Sequence, residues 1–564
     1  MGTDTLAFIR PAFSNPFTAN LGASAEAQLC NTYLAIGLAT LVLLVAYYWR
    51  TAVGCRTGNV QLLPGGKPLI GHMIQLLQNQ HRFHDWILEG ATRMGWKTYC
   101  FTVPLLPTWF VVTDPTSIEY ILKTEMHNWV KGSHFFATFG PVLGHGIFTS
   151  DGPHWLWQRK LATHIFSVKG FKRYISQVFA EHMDILSARM AAAAASSTPI
   201  DLHDLMYRFT LDSFGKIGFG VQLGCLASSD AKVPFAVAFD TAQVICVQRF
   251  TSPGWRLTEL LNGKRSQLNA CCSVIHGFAH DIVQQRRELL AQQQAADAAA
   301  GADAAAGAAK TAAVKEQQEE EEDDNSAQDL LSLFMAAKGV DGKPLNDKEL
   351  VDTVINFIIA GRDTTAQALS WTLYELLQHP AAEQQLLQEL REVLGPLPPL
   401  NSSSSSRQAV HPSYEQVRQL RFTRACFLEA LRLHPSVPAN LKFAVRADTL
   451  PDGSTIPAGC QVLYSPYVVN RSKSFWGPDA EEFRPSRWLS MDSMPSPYSY
   501  LSFHAGPRLC LGQRLAELEG VYVLAGLLAR FKFSQVQPGA KVDYVFSTSL
   551  PMMQGLAVTV EERE

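Results

Sequence analysis

The chain has 564 residues, 47% of them hydrophobic and only 18% charged, enough apolar material to bury a large core. A formal net charge of -3 without any dense Lys/Arg block argues against a nucleic-acid partner, because phosphate binding needs a basic face. Ten irregularly scattered cysteines with no C-x-x-C spacing suggest neither a disulfide framework nor a zinc site and fit a reducing compartment.

Residues 1–28 read as a lead segment. The charge-free stretch 29–49 that follows is close to the roughly 20 residues a spanning helix needs. Tyr33, Tyr47, Tyr48 and Trp49 sit at its ends like an aromatic belt and Arg50, Arg56 and Lys67 come after it, which predicts a membrane anchor with the body of the chain on the cytosolic side. Its late start and the lack of a basic n-region or A-x-A site weigh against a cleaved signal peptide. A plastid address in residues 1–28 stays open as an alternative, with Asp4 and Glu26 counting against it. Residues 50–72 hold Pro64, Gly65, Gly66 and Pro68 and predict a stiff Pro/Gly hinge between membrane and body.

From 73 to 564 the periodicity predicts one domain, mainly helical, with extended pieces such as Trp109 to Thr113 near its start. Trp155 and Arg159, in DGPHWLWQRK, stand four apart on one helix face. Residues 291–324 are rich in Ala, Gln and acids and end in EEEEDD; such a stretch supplies no packed core and reads as a solvated helix or loop inserted in the domain. Asn346 followed by Glu349 makes an N-terminal capping pattern and Pro380 a stop, bounding a helix of roughly 48 Å at 1.5 Å per residue. Its middle, AGRDTT (Ala360 to Thr365), predicts a local distortion, since glycine weakens a helix and adjacent threonines compete for backbone carbonyls. Residues 401–407 (NSSSSSR) are a second, shorter insertion. Glu429 and Arg432 lie three apart on a helix face, a pairing that is commonplace by itself.

Near the C-terminus, FHAGPRLCLG (Phe503 to Gly512) sets Cys510 just ahead of a strongly periodic helical stretch. Oriented N–H groups at a helix start favour a thiolate, and a thiolate is what binds a metal. Gly506 and Gly512 let the backbone approach a large planar group, and Arg508 is placed to pair with an acid on it.

With these residues in hand, the chain resembles the cytochrome P-450 family: F-x-x-G-x-R-x-C-x-G matches the family's ligand loop at every fixed position. The resemblance implies a mainly α fold with small β-sheets (α+β) and haem b (iron protoporphyrin IX) held by Cys510 as axial iron ligand. It implies cofactor contacts from Phe503, Gly506, Arg508, Gly512, Trp155 and Arg159, with Lys442 as a further propionate contact. Ala360 to Thr365 matches the oxygen-activation motif, so that Gly361 makes room for O2 while Asp363 and Thr364 relay protons and hold water. FRPSRW (Phe483 to Trp488) resembles the loop whose arginine, here Arg487, completes an ion-pair triad with Glu429 and Arg432. The implied reaction is monooxygenation, with NADPH electrons delivered by a separate flavoprotein reductase, because no glycine-rich nucleotide fingerprint or flavin domain stands in the chain.

Several stretches, among them LGHGIFTSDGPHW, NFIIAGRDTTA and FWGPDAEEFRPSRW, are similar to the plant-type fatty-acid omega-hydroxylases. That likeness implies a fatty-acid substrate and an apolar channel lined in part by Leu143, Gly144, Ile147 and Phe148; the anchor run, for its part, points to the endoplasmic reticulum membrane, with a plastid membrane as the alternative. Hydroxylation of sterols or carotenoids is a second reading, and a haem-binding protein without turnover a third.

Overall fold

The computed structural model describes residues 32–40, 42–43, 57–165, 171–228, 233–307, 329–395 and 409–563. Helices dominate. The strands are short: β1 (Gln61–Leu62), β2 (Tyr99–Phe101), β3 (Trp109–Val111), β4 (Trp129–Val130), β5 (Ile200–Asp201), β6 (Asn440–Ala444), β7 (Asp448–Thr449), β8 (Thr455–Ile456), β9 (Gln461–Tyr464), β10 (Phe531–Gln535) and β11 (Ala557–Glu562). They form a six-stranded sheet in the order β1-β2-β3-β9-β6-β4, a three-stranded sheet β10-β11-β5 and the pair β7-β8. Mainly α with small sheets is therefore what the chain adopts, as expected.

Of the expected anchor, 32–40 and 42–43 are described; they are helical, with Tyr33, Leu34, Ile36 and Leu38 exposed. The rest of 29–49, and all of 1–28, lie outside the described residues. Among the described residues no helix is long and apolar enough to cross a membrane. The Pro/Gly segment departs from the expected hinge. β1 pairs in parallel with β2, Val60, Leu63 and His72 are buried, and the His72 ring bonds the Leu63 carbonyl at 2.6 Å and the Thr102 amide at 3.2 Å. Residues 57–72 are thus part of the body, because the breakers sit between two stretches that the sheet holds.

Two apolar clusters flank the centre. One joins the helices Phe171–Ser196, Leu202–Phe219, Thr364–Gln378, Arg421–Leu433 and Gln513–Arg530 through side chains such as Met183, Phe209, Leu369, Phe427 and Leu524, all fully buried. The other joins the sheet to Pro234–Thr251, Lys264–Gly307 and Asp347–Ile358 through Phe101, Phe239, Ile275 and Ile355. Each such side chain contributes about 1.5–3 kcal/mol by leaving water. The helix Lys264–Gly307 runs into the first insertion, where residues 291–296 are exposed. Residues 308–324 and 401–407 lie outside the described residues.

The expected long helix is present, with its distortion in the expected place. Asn346 and Glu349 form a complete capping box, Asp347–Ile358 is α-helical, Ile359–Asp363 is a single π turn, and Thr364–Gln378 is α-helical again up to the boundary with Pro380. A π turn inserts one residue and frees carbonyls from the i→i−4 ladder. Hydroxyls bond the carbonyls here: Thr364 Oγ1 donates to Ala360 at 2.7 Å, Thr210 Oγ1 to Arg362 at 2.9 Å, and Ser436 Oγ to Thr364 at 2.7 Å. The distortion is built into the surrounding helices rather than being a fluctuation of one.

Candidate active site

A cavity of about 400 Å³ lies between the π turn and the loop before the last helix; Ala360, Gly361, Asp363, Thr364, Phe503, Arg508, Cys510 and Gly512 all line it. The loop is closed on itself, the Cys510 amide donating to the Phe503 carbonyl at 2.9 Å and the Leu509 amide to Gly506 at 2.9 Å. Gly512 is the N-cap of Gln513–Arg530, so Cys510 stands two residues before the cap. Its sulfur is open to the cavity rather than to bulk water. Burial raises the thiol, while the amides of Gly512 and Gln513 and the Arg159 charge pull the other way.

Four cations gather around this wall with one carboxylate. Arg508 Nη2 donates to Asp151 at 2.9 Å and to the Ser150 carbonyl at 2.8 Å, and its guanidinium lies 4.3 Å over the Trp155 ring. Trp155 and Arg159 both line the cavity, one helical turn apart on Gly152–Ile165. Lys442 is buried on β6 beside Leu441, which lines the cavity although Lys442 does not. Of the charges acting on Lys442, namely Arg508, Lys131 and Asp151, only Asp151 has the opposite sign, and burial holds the amine well below its ordinary range. Burial and Arg508 likewise lower Lys131 to about 7. Buried cations in such excess are expensive unless an anion joins them. A soft sulfur facing the cavity beside this cationic cluster fits a haem, whose propionates would supply the missing negative charge and whose iron would take the thiolate.

The π turn carries a second polar group. Asp363 accepts from Arg362 Nη1 at 2.6 Å and from Gln243 Nε2 at 2.8 Å, and Arg362 also reaches the half-exposed Asp240 at 3.2 Å. The Arg362 guanidinium lies 4.2 Å over Tyr207, whose hydroxyl accepts from Gln367 at 2.9 Å. Burial pushes the Asp363 carboxyl up to about 6, Asp240 adding to the rise while Arg362 and Gln243 restrain it.

Glu429 lies within a fully buried ion-pair cluster. It accepts from Arg432 Nε at 2.8 Å and Nη2 at 2.9 Å, Arg487 Nε at 2.8 Å, the Arg484 amide at 2.9 Å and Trp488 Nε1 at 2.9 Å. The remaining guanidinium donors go to backbone carbonyls, Arg432 to Asn470, Ala480 and Glu482 and Arg487 to Trp476 and Asp479, and Arg487 Nη2 also reaches the Asp479 carboxylate at 3.3 Å. Helix Arg421–Leu433 is thereby tied to the segment 470–488 that precedes the cysteine loop.

Three glycines have tasks other than those expected. A Cβ at Gly361 would overlap the Phe214 ring of Leu202–Phe219, so the close approach there is between two helices. At Gly506 (φ 65°) a Cβ would stand 2.7 Å from the Leu122 carbonyl, a neighbour within the protein and not a planar ligand. Gly144 (φ 54°) does not line the cavity, unlike Leu143, Ile147 and Phe148. It closes a helix against Asp352, whose carboxylate accepts the His145 amide at 2.9 Å. Asn356 completes the clamp, accepting the Phe148 amide at 3.1 Å and donating to Leu143 at 2.8 Å.

Several site residues escaped the sequence reading. Lys131 and Gln243 carry no local signature. His504 held one unread signal, its place inside the cysteine loop. It sits at φ 62° with Nε2 2.8 Å from the Tyr464 hydroxyl and Nδ1 2.9 Å from the Ala505 carbonyl, and burial keeps it neutral. Glu519, nine residues after Cys510, also lines the cavity, accepts from Ser213 at 2.7 Å and is pushed up to about 8 by burial.

Comparison with known proteins agrees with this geometry. The family profile described as Cytochrome P450 matches residues 62–554. The chain is 34% identical to Cytochrome P450 monooxygenase cyp1 of Mycosarcoma maydis over 534 residues, 92% of this chain and 78% of that protein. It is 33% identical to Cytochrome P450 704B1 of Arabidopsis thaliana over 520 residues, 88% of this chain and 94% of that one. With Cytochrome P450 94B3 of Arabidopsis thaliana the identity is 32% over 543 residues, 93% and 97% of the two chains.

Proposed function

The chain belongs to the cytochrome P450 family and is a monooxygenase, and from that premise we propose that it hydroxylates fatty acids at or near the terminal methyl. The observation that carries this reading is the cavity itself, an aromatic and aliphatic chamber with Phe135, Phe139, Phe250, Phe357 and Phe546 among its walls, closed around Cys510 and Thr364. Such walls suit a long apolar chain. The resemblance of LGHGIF and NFIIAGRDTTA to plant-type fatty-acid omega-hydroxylases supports the same choice.

Bound haem, read as iron protoporphyrin IX, supplies the activation of O2, a thiolate ligand favouring heterolytic O–O cleavage. Cys510 would be that ligand. Arg159, Arg508, Lys131 and Lys442 would neutralise the propionates, with Trp155 supporting Arg508. Thr364 spends its hydroxyl proton on the Ala360 carbonyl, so its lone pairs face the cavity and hold a water by accepting from it. Asp363 is the proton carrier behind that water, held by Gln243 and Arg362 and connected through Arg362 to Asp240 at the surface. Glu429, Arg432 and Arg487 are a structural lock.

Electrons would come from an NADPH-dependent flavoprotein reductase. The charge-free run at 29–49 supports a membrane anchor, and with it a place on the cytosolic face of the endoplasmic reticulum. The reading is tested by supplying the holoenzyme with reductase, NADPH and labelled O2. A fatty acid is expected to give an omega-hydroxy product carrying one labelled oxygen. Turnover of sterols or carotenoids with none of fatty acids would replace the substrate class, and absence of any oxygenation would replace the enzyme by a haem-binding protein.

The Asp363 role has its own signature. Above about pH 6 its carboxylate is ionised and able to take a proton; below, it is protonated and Arg362 loses a partner. Activity is therefore expected to fall as pH drops through about 6. Asp363→Asn is expected to lower turnover about 100-fold and to abolish that acid limb, read from rate against pH with haem content held equal. An unchanged profile would remove Asp363 from the relay.

A further inference from the structure

We propose that His84 anchors the carboxyl group of the substrate, fixing the polar head of a long-chain acid on the cavity wall while the chain runs to the reacting centre. The proposal rests on the fatty-acid reading above and deepens it. His84 is the second residue of the helix Phe83–Arg93, its side chain is 2% exposed, it lines the cavity, and neither ring nitrogen has a hydrogen-bond partner. Packing does not call for an imidazole. The ring stands among aromatic rings, with centroids 5.6 Å from Phe83, 5.7 Å from Tyr467, 5.3 Å from Tyr544 and 5.8 Å from Phe546. A phenyl group would fill that place without burying an unsatisfied donor and acceptor, and buried polar groups are ordinarily paired.

The surrounding polar groups are already paired. Asp85 accepts from the hydroxyls of Tyr467 at 2.7 Å and Tyr544 at 2.9 Å, and the Tyr544 oxygen accepts the His84 amide at 3.2 Å and the Asp85 amide at 3.4 Å. Arg471 lies 3.8 Å over the Tyr467 ring and donates to the Tyr467 carbonyl at 3.0 Å. Of these groups only the His84 imidazole lines the cavity, and it is the one left for a ligand there. Burial keeps it neutral, lowered to about 3, with Asp85 opposing and Arg471 assisting. A neutral imidazole offers one N–H donor and one lone pair, which meet a carboxylate oxygen or the O–H of a protonated acid. Arg471 adds positive potential at this place and the Asp85 charge is taken up by two hydroxyls, so a carboxyl is favoured over the single hydroxyl of an isoprenoid alcohol. Held by its head, a chain presents its far end to Thr364, which gives the terminal selectivity a physical cause.

The test is a spectral binding titration of the haem-loaded full chain with hexadecanoic acid, its methyl ester and the corresponding alcohol. Wild type, His84→Phe and His84→Gln are compared at equal haem content. Wild type is expected to bind the acid about 10-fold more tightly than the ester, the scale of one hydrogen bond to a charged group. His84→Phe is expected to lose that preference while binding the ester as before, and His84→Gln, which keeps an N–H donor, to retain part of it. An acid preference unchanged in His84→Phe would overturn the anchor and leave the fatty-acid reading standing. Preference for the alcohol over the acid would overturn the carboxyl assignment. No response of the wild type to any of the three would bring down the fatty-acid reading and the anchor with it.

Discussion

Glu429→Ala is expected to cost about 3–5 kcal/mol of stability, the usual cost of breaking a buried ion pair from one side, and to give protein that retains little haem. The magnitude follows from what is left behind. Arg432 and Arg487 would remain in a site where neither exceeds 3% exposure, Arg432 without its carboxylate and Arg487 with only the 3.3 Å contact to Asp479, and the Arg484 amide and Trp488 indole would lose their acceptor. Because the same cluster ties Arg421–Leu433 to the segment leading into the cysteine loop, damage there reaches Cys510 without touching it. Denaturant unfolding and haem stoichiometry measure the two effects. Glu429→Gln, which keeps an acceptor oxygen but not the charge, should fall between. A Glu429→Ala protein of wild-type stability would mean that the cluster is not a lock.

Cys510→Ser should do the opposite. Its side chain faces the cavity, its amide bond to Phe503 belongs to the backbone, and a hydroxyl is slightly smaller than a thiol. Stability is therefore expected to change by less than about 1 kcal/mol. Turnover is expected to fall by roughly 1,000-fold or more, about 4 kcal/mol of lost transition-state stabilisation, because a serine oxygen would be a poor substitute for the thiolate that, in the proposed site, would donate electron density to iron. Taken together, the two substitutions separate the residue that performs chemistry from the residues that hold its loop. Equal loss of stability in both would contradict that separation.

The parts of this site legible from sequence are those in which geometry is local. Glu429 and Arg432 are one helical turn apart, Trp155 and Arg159 likewise, and the cysteine loop closes within ten residues, so spacing alone places their side chains together. The π turn was foreshadowed by Gly361 and the paired threonines, since those residues weaken an α-helix wherever it is placed. Other features depend on pairings across hundreds of residues. Gln243 meets Asp363 from a helix 120 positions earlier, and Asp85 meets Tyr544 at a separation of 459; no local pattern encodes either. Gly361 and Gly506 show the same limit from another side. Their identity announced a close approach, but Phe214 and the Leu122 carbonyl, the groups that approach, lie on segments that only the tertiary fold brings near. The segment 57–72 misled for a related reason: proline and glycine mark a change of direction, and β1 pairing with β2 decides whether the turn is free or held.

Cys510 as the thiolate ligand of a haem iron is tested by the carbon monoxide difference spectrum of the reduced, haem-loaded protein beside Cys510→Ser. The wild type is expected to show the strongly red-shifted Soret band of a thiolate-ligated ferrous haem, and the variant to lose it. A haem-loaded, folded wild type without that band, or a band that survives in Cys510→Ser, would contradict that assignment.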